Sequence, residues 1–140
     1  MSDALHLEFD VAGNNFVSAG GASDEVKKTL KMLGVSTASI RKVAIAMYEG
    51  EINMVIHAGG GTADVNVTED YVEIILRDNG PGIKDVEQAM QEGFSTAPDN
   101  IRSLGFGAGM GLPNMKRYSD SMEIDTELGK GTCITMTVML

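Results

Sequence analysis

Residues 36–61 read STASIRKVAIAMYEGEINMVIHAGGG, and the reading of this stretch decides the fold. Ser36 or Thr37 is placed to cap a helix, and the glycines at 59–61 end it near Ala58. Ile40, Val43, Met47 and Met54 cover one side, while Ile45, Ile52, Val55 and Ile56 cover another. A helix apolar on two sides is largely enclosed, so this one is expected at the centre of the molecule. Glu49 and Asn53 lie four apart and project from one face about one turn apart, a face that Glu51 does not share. Unpaired burial of such groups costs about 1–3 kcal/mol for a neutral side chain and more for a charge. Two readings stay open: a solvated Glu–Asn stripe, or a carboxylate that works as a base beside an amide oxygen suited to Mg²⁺.

Outward from this helix the chain is punctuated by 17 glycines against three prolines. They cluster at 59–61, 80–82, 105–111 and 129–131, each time between two periodic segments, so they mark junctions rather than a flexible tract. Leu5, Leu7, Phe9 and Val11 alternate with polar residues, which predicts a strand with one buried face. Ser23 or Asp24 is placed to cap a helix that carries Val26, Leu30 and Leu33 and stops at Gly34. Val65 and Val67, then Val72, Ile74 and Leu76, predict a hairpin turned at 68–71. A short helix is expected over 85–91 and a long loop over 92–109; loops of that length are usually lids or binding segments. A helix over 111–118 and a hairpin pairing 122–125 with 132–138 complete the layout. The expectation is an α+β two-layer sandwich, a mixed, mostly antiparallel sheet with helices on one face, formed as a single domain over 1–140.

Composition narrows the function. The chain has 140 residues and a formal net charge of −9, and shows no basic stripe, which argues against nucleic-acid and anionic-membrane partners. One Cys and two His make a poor structural zinc set. The first residues lack a basic leader and an apolar signal core, so a cytoplasmic location is expected. Ten methionines are expected to fill core gaps rather than to bind metal.

Two further stretches bear on chemistry. Asp78 follows an apolar strand and precedes Asn79-Gly80-Pro81-Gly82, where a carboxylate beside glycines either forms a plain turn or accepts a hydrogen bond from a donor such as the adenine N6 amine. Gly105-Phe106-Gly107-Ala108-Gly109-Met110-Gly111 leads into a helix, and main-chain N–H groups at such a start favour anions and phosphates. It has no Gly-Lys-Ser/Thr of a P-loop, and it does not follow a strand as in a Rossmann unit.

In order along the chain, Glu49-x-x-x-Asn53, Asp78-x-Gly80-x-Gly82, Gly107-x-Gly109-x-Gly111 and Gly131-Thr132 resemble the four boxes of the GHKL (gyrase, Hsp90, histidine kinase, MutL) ATP-binding superfamily, whose fold is the Bergerat fold with an ATP lid. The resemblance spans about 36–138. Within it, Asp78 to Ile83, Glu92 to Thr96 and Gly109 to Pro113 look like the anti-sigma-factor and switch serine kinases of bacterial partner-switching systems. The resemblance implies roles residue by residue. Glu49 matches the general base, Asn53 the Mg²⁺ ligand, and Asp78 the acceptor of adenine N6. Gly80 belongs to the same box, Gly82 matches the glycine that lets the base approach, and Thr132 the hydroxyl on the adenine side. Gly107, Gly109 and Gly111 match the hinge and phosphate-binding end of the lid. Arg102 is a candidate for the γ-phosphate beside its reading as a solvated charge, and His57 reads best as a hydrogen-bonded helix-end residue. Gly50, inside the helix, costs about 1 kcal/mol against Ala, and close packing or nucleotide approach would account for it.

The implied function is an ATP- and Mg²⁺-dependent protein serine/threonine kinase. Its implied partner is a STAS-type regulator or a sigma factor, with a homodimer as an open expectation. The alternative is a nucleotide-gated binding module of the anti-sigma type with little turnover. The detached catalytic domain of a histidine kinase fits less well, because the chain starts with a strand rather than phosphoacceptor helices.

Overall fold

A row of side chains that crosses all five strands organises the sheet. Leu7 lies opposite Val65, Val65 opposite Ile74, Ile74 opposite Met136, and Met136 opposite Met122. The three central members are fully buried. A slip of one residue in any strand would turn its whole apolar set outward, so this pattern fixes the register. The strands are β1 (Leu5–Ala12), β2 (Gly60–Val67), β3 (Tyr71–Asp78), β4 (Ser121–Glu127) and β5 (Gly131–Met139), in the order β1-β2-β3-β5-β4. The predicted sheet, mixed but mostly antiparallel, is antiparallel at all four pairings. The computed structural model describes residues 5–12, 20–83, 86, 90 and 111–140.

Among the described residues, three helices cover the apolar face: α1 (Gly21–Met32), α2 (Thr37–Asn53) and α3 (Gly111–Tyr118). Val26 and Leu30 of α1, Val43 and Met47 of α2 and Met115 of α3 are all fully buried against it. Each such side chain contributes about 1.5–3 kcal/mol through loss of water contact. The expected two-layer α+β sandwich is therefore present. Of the short helix expected at 85–91, Val86 and Met90 are described, and the Met90 N–H donates to the Val86 carbonyl across one turn at 3.0 Å. The loop expected at 92–109 lies wholly outside the described residues. No helix among the described residues is long and apolar enough to cross a membrane.

Two helix ends differ from expectation. Ser36 caps α2 as predicted, accepting the Ser39 N–H at 3.2 Å. The α1 start is not capped by Ser23 or Asp24: its N-cap is Gly20, in the left-handed region at φ 93°, with no side-chain cap of its own. Glu51 of α2 takes that role from outside, as described below. At its far end α2 does not run regularly to Ala58. After Asn53 it widens into a π-helical turn, Met54–Ala58, closed by Gly59 at φ 72°. Single π turns concentrate at functional sites, because the extra residue re-aims the side chains around it.

The central helix also explains Gly50. A Cβ there would collide with Leu76 Cδ1 of β3 and lie 3.3 Å from Met115 Cε. Close packing of α2 onto the sheet, rather than approach of a ligand, accounts for the glycine.

Candidate active site

α2 delivers Glu49 and Asn53 to the side on which α3 packs. Glu49 Oε1 accepts a hydrogen bond from Asn114 Nδ2 at 3.4 Å, and Asn53 Nδ2 lies 3.8 Å from Met115 Sδ as a weak donor. Both residues are half-buried, which removes the reading of a fully solvated stripe. Among the described residues nothing donates to Glu49 Oε2 or to Asn53 Oδ1. Among the described residues, one basic oxygen and one neutral hard oxygen therefore sit about a turn apart with lone pairs that no donor takes.

The strand ends supply the second half. β3 ends at Asp78, whose Oδ1 accepts the Gly80 N–H at 2.9 Å and the Thr132 N–H at 3.2 Å. The first of these bonds makes the turn expected of an Asp–Gly sequence. The second, from the neighbouring strand, fixes the carboxylate in direction and leaves Oδ2 without a donor among the described residues. Thr132 Oγ1 lies 2.9 Å from Thr126 Oγ1, which also accepts the Ile83 N–H at 2.8 Å. Thr126 thus ties the 79–83 turn to β4 and β5, and the Gly129 N–H adds a bond to the Pro81 carbonyl at 2.9 Å.

The glycines here have local reasons. A Cβ on Gly80 would come within 2.7 Å of Ala58 at the end of the π turn. Gly82 has φ 82°, and a Cβ on it would meet the Glu127 carbonyl at 2.6 Å. The approach that Gly82 permits in this structure is thus that of the β4–β5 turn. Gly131 is the tightest: at φ 124° it lies against the Asp78 main chain, with Asn79 Cα 3.0 Å from the position of a Cβ. Gly131→Ala combines a backbone conformation costly to L-residues with a clash against main-chain atoms. A loss of at least about 2 kcal/mol is expected as a lowered urea midpoint at unchanged slope.

Of the residues singled out from sequence, Glu49 and Asn53 stand beside α3 near the end of α2, Asp78, Gly80 and Thr132 stand at the adjoining ends of β3 and β5, where Gly80 packs on Ala58 of the π turn, and Gly82 lies against the β4–β5 turn. Gly111 opens α3. Gly107, Gly109 and Arg102 lie outside the described residues, as does the side chain of His57. Three contributors were not anticipated: Asn114, Thr126 and Glu51. Each acts through a contact far along the chain, and no local periodicity marks it.

Glu51 is 2% exposed. Its Oε2 accepts the N–H groups of Gly20 at 3.0 Å and Ala22 at 3.3 Å, and its Oε1 that of Ser23 at 2.6 Å. Burial pushes its pKa above the ordinary 4.5, and the three main-chain donors only partly offset that. The folded protein then holds this proton more tightly than the unfolded chain does. Relative to a Glu51→Gln variant, wild-type stability is expected to rise as pH falls through the raised pKa toward 4.5, and to be lost as pH rises through it. Paired urea titrations across that window, without nucleotide or metal, would check this; an unchanging difference would contradict it.

An open carboxylate oxygen at a strand end, with a carboxylate and an amide oxygen on the adjoining helix, defines a class of site. It offers an acceptor for a donor-bearing planar group and hard oxygen ligands suited to Mg²⁺ rather than to a soft metal. The donor set therefore fits a nucleotide and its magnesium ion. Residues 38–140 match the family of histidine kinase-, DNA gyrase B- and HSP90-like ATPases, and the chain belongs to that family. It is 32% identical over 110 residues to the serine/threonine-protein kinase RsbT of Bacillus subtilis (strain 168), covering 76% of this chain and 77% of the relative. It is 34% identical over 143 residues to an anti-sigma F factor of Clostridium beijerinckii, covering 97% and 94%. Among solved structures, a mycobacterial sensor histidine kinase, MprB, superposes with a TM-score of 0.55 at 17% identity, covering 96% of this chain and 97% of that one, which bears on fold alone.

Proposed function

We propose that this chain is an ATP-dependent protein serine/threonine kinase of a bacterial partner-switching system, a single HATPase_c-like domain that phosphorylates a serine of a small STAS-type regulator in the cytoplasm. The observation that carries the proposal is Glu49: a half-buried carboxylate on the enclosed helix, held through one oxygen by Asn114, with no donor to the other among the described residues. A protein that only sensed nucleotide would have no need of a base at this position. The relatives named as a serine/threonine kinase and as anti-sigma factors support the same reading.

Asp78 accepts the adenine N6 amine through Oδ2, with Thr132 on the same side of the base. Asn53 offers Oδ1 to Mg²⁺, which when bound neutralises charge on the phosphates. Gly107, Gly109 and Gly111 match the hinge and phosphate-binding end of the lid, where main-chain N–H groups favour phosphates. Glu49 takes the proton of the partner's serine as the serine oxygen bonds to the γ-phosphorus and the bond to the β-phosphate oxygen breaks, leaving ADP. No covalent enzyme intermediate is needed; positioning and charge neutralisation supply most of the acceleration.

A second reading, a nucleotide-gated module that binds a sigma factor with little turnover, is favoured by the relatives named anti-sigma F factor. Incubation with γ-labelled ATP, Mg²⁺ and a STAS-type regulator separates the two. The kinase reading expects one phosphoserine on the regulator by mass spectrometry. Nucleotide-dependent binding of a sigma factor, with no label on any regulator tested, would favour the module instead.

A further inference from the structure

Two carboxylates stand two residues apart near the end of α2, and the reaction described above uses only Glu49. At about 100° per residue, Glu51 projects from the opposite side of the helix from Glu49 and Asn53. There it is buried and receives three main-chain N–H groups from Gly20, Ala22 and Ser23. Those groups belong to the α1 start, where a helix has donors without intrahelical partners. A serine or aspartate at an ordinary N-cap would satisfy the Ala22 and Ser23 donors locally. Here the cap position is glycine, and a Cβ on it would lie 2.8 Å from the Tyr48 ring of α2. The cap is instead a buried carboxylate reaching across from the neighbouring helix, at the cost of desolvating a charge.

Such an arrangement does something that a local cap cannot: it ties the last α-helical turn of α2 to α1 in both rotation and height. The other sides of the same turn are already held, by Gly50 against Leu76 and Met115 and by Asn114 on Glu49. The next residues after Asn53 form the π turn, so the regular ladder of α2 is interrupted immediately beyond the reacting groups. A side chain ends about 5–6 Å from its helix axis, so a roll of only about 10° displaces its tip by about 1 Å. An error of that size in a reacting group costs on the order of 10²-fold in rate.

We infer that Glu51 is a positioning residue for phosphoryl transfer: its bonds to the start of α1 hold α2 at the rotation that aims Glu49 and Asn53. The inference rests on the kinase reading above. Asp78 and Thr132 stand on strands and do not depend on that rotation, so the two halves of the site should respond differently.

Glu51→Gln keeps size but turns one acceptor oxygen into an NH₂ group facing N–H donors. Its kcat for transfer from ATP to a STAS-type regulator is expected to fall about 10- to 100-fold. Its Kd for ATP measured in EDTA, which reads the adenine half, should stay within about threefold. Glu51→Asp, with both oxygens drawn back by one methylene, should recover part of the lost kcat. A cooperative melt establishes that each variant is folded at the assay temperature. Folded Glu51→Gln with wild-type kcat would overturn the inference. So would a parallel loss of kcat and ATP affinity, the mark of general loosening, or failure of both variants to fold, which would make Glu51 a folding determinant. If the wild type itself transfers no phosphate, the kinase reading fails and this inference falls with it; if the wild type turns over and Glu51→Gln does so equally, only the inference fails.

Discussion

Glu49→Gln is expected to lose phosphoryl transfer almost entirely while still binding ATP. The amide has the same shape, and its oxygen can accept the Asn114 Nδ2 hydrogen bond that Glu49 Oε1 accepts at 3.4 Å, so α2 and α3 keep their packing. What disappears is the basic oxygen. Removing a positioned general base costs about 10²- to 10⁴-fold, and the whole of that loss should fall in kcat, because no group that contacts the adenine is altered. Single-turnover transfer from γ-labelled ATP, with ATP affinity measured in parallel, would separate the two effects. Transfer within about threefold of wild type would remove Glu49 from the base's role. The comparison is cleaner than with Glu49→Ala, which would also leave the half-buried Asn114 amide without its acceptor.

Asp78→Asn carries the second large effect, on binding rather than on turnover. The asparagine oxygen can still accept the Gly80 and Thr132 N–H groups that converge on Oδ1 at 2.9 and 3.2 Å, so the turn and its attachment to β5 are preserved. With that oxygen so fixed, the amide nitrogen must occupy the Oδ2 position. There it would present a donor to the donor N6 amine of adenine. Hydrogen bonds to a charged acceptor are worth about 1.5–3 kcal/mol, so ATP affinity should fall on the order of 10- to 150-fold. The variant should discriminate less between ATP and a triphosphate whose base lacks an amine at this position. Unchanged ATP affinity would mean that Asp78 is a plain Asp–Gly turn, the reading that its sequence alone left open.

The contrast between these two sites shows where information lay along the chain. Strand register was legible because apolar residues recur at every second position in β2, β3 and β5, and the sheet buries that face of each. The start of α2 was legible from Ser36, since caps are local, but its end was not, because Gly59 closes the π turn and α2 itself stops at Asn53. The α1 start was not: Ser23 and Asp24 are good capping residues, yet the donors there are taken by Glu51, 28 residues further on in the case of Ser23. No window along the sequence contains both partners. Similar distances hide Asn114 from Glu49 and Thr126 from Ile83. Gly50 was recognisable as a cost to the helix, but its reason, Leu76 Cδ1, becomes visible only once α2 is laid across β3. The π turn left no trace in the apolar pattern, which runs through Met54 and Val55 without a break. The order of the candidate residues along the chain was enough to indicate a nucleotide site through family resemblance. The geometry adds which oxygens are already engaged, and therefore which ones remain for a ligand.

All of these roles require that the chain grip ATP between the end of β3 and the last turn of α2. Calorimetric titration of ATP with Mg²⁺ into the purified protein tests this most directly. The account predicts a saturable, one-site heat that weakens in Asp78→Asn and persists in Glu49→Gln. A wild-type titration that shows no saturable heat, repeated at a second temperature to exclude a vanishing enthalpy, would contradict it.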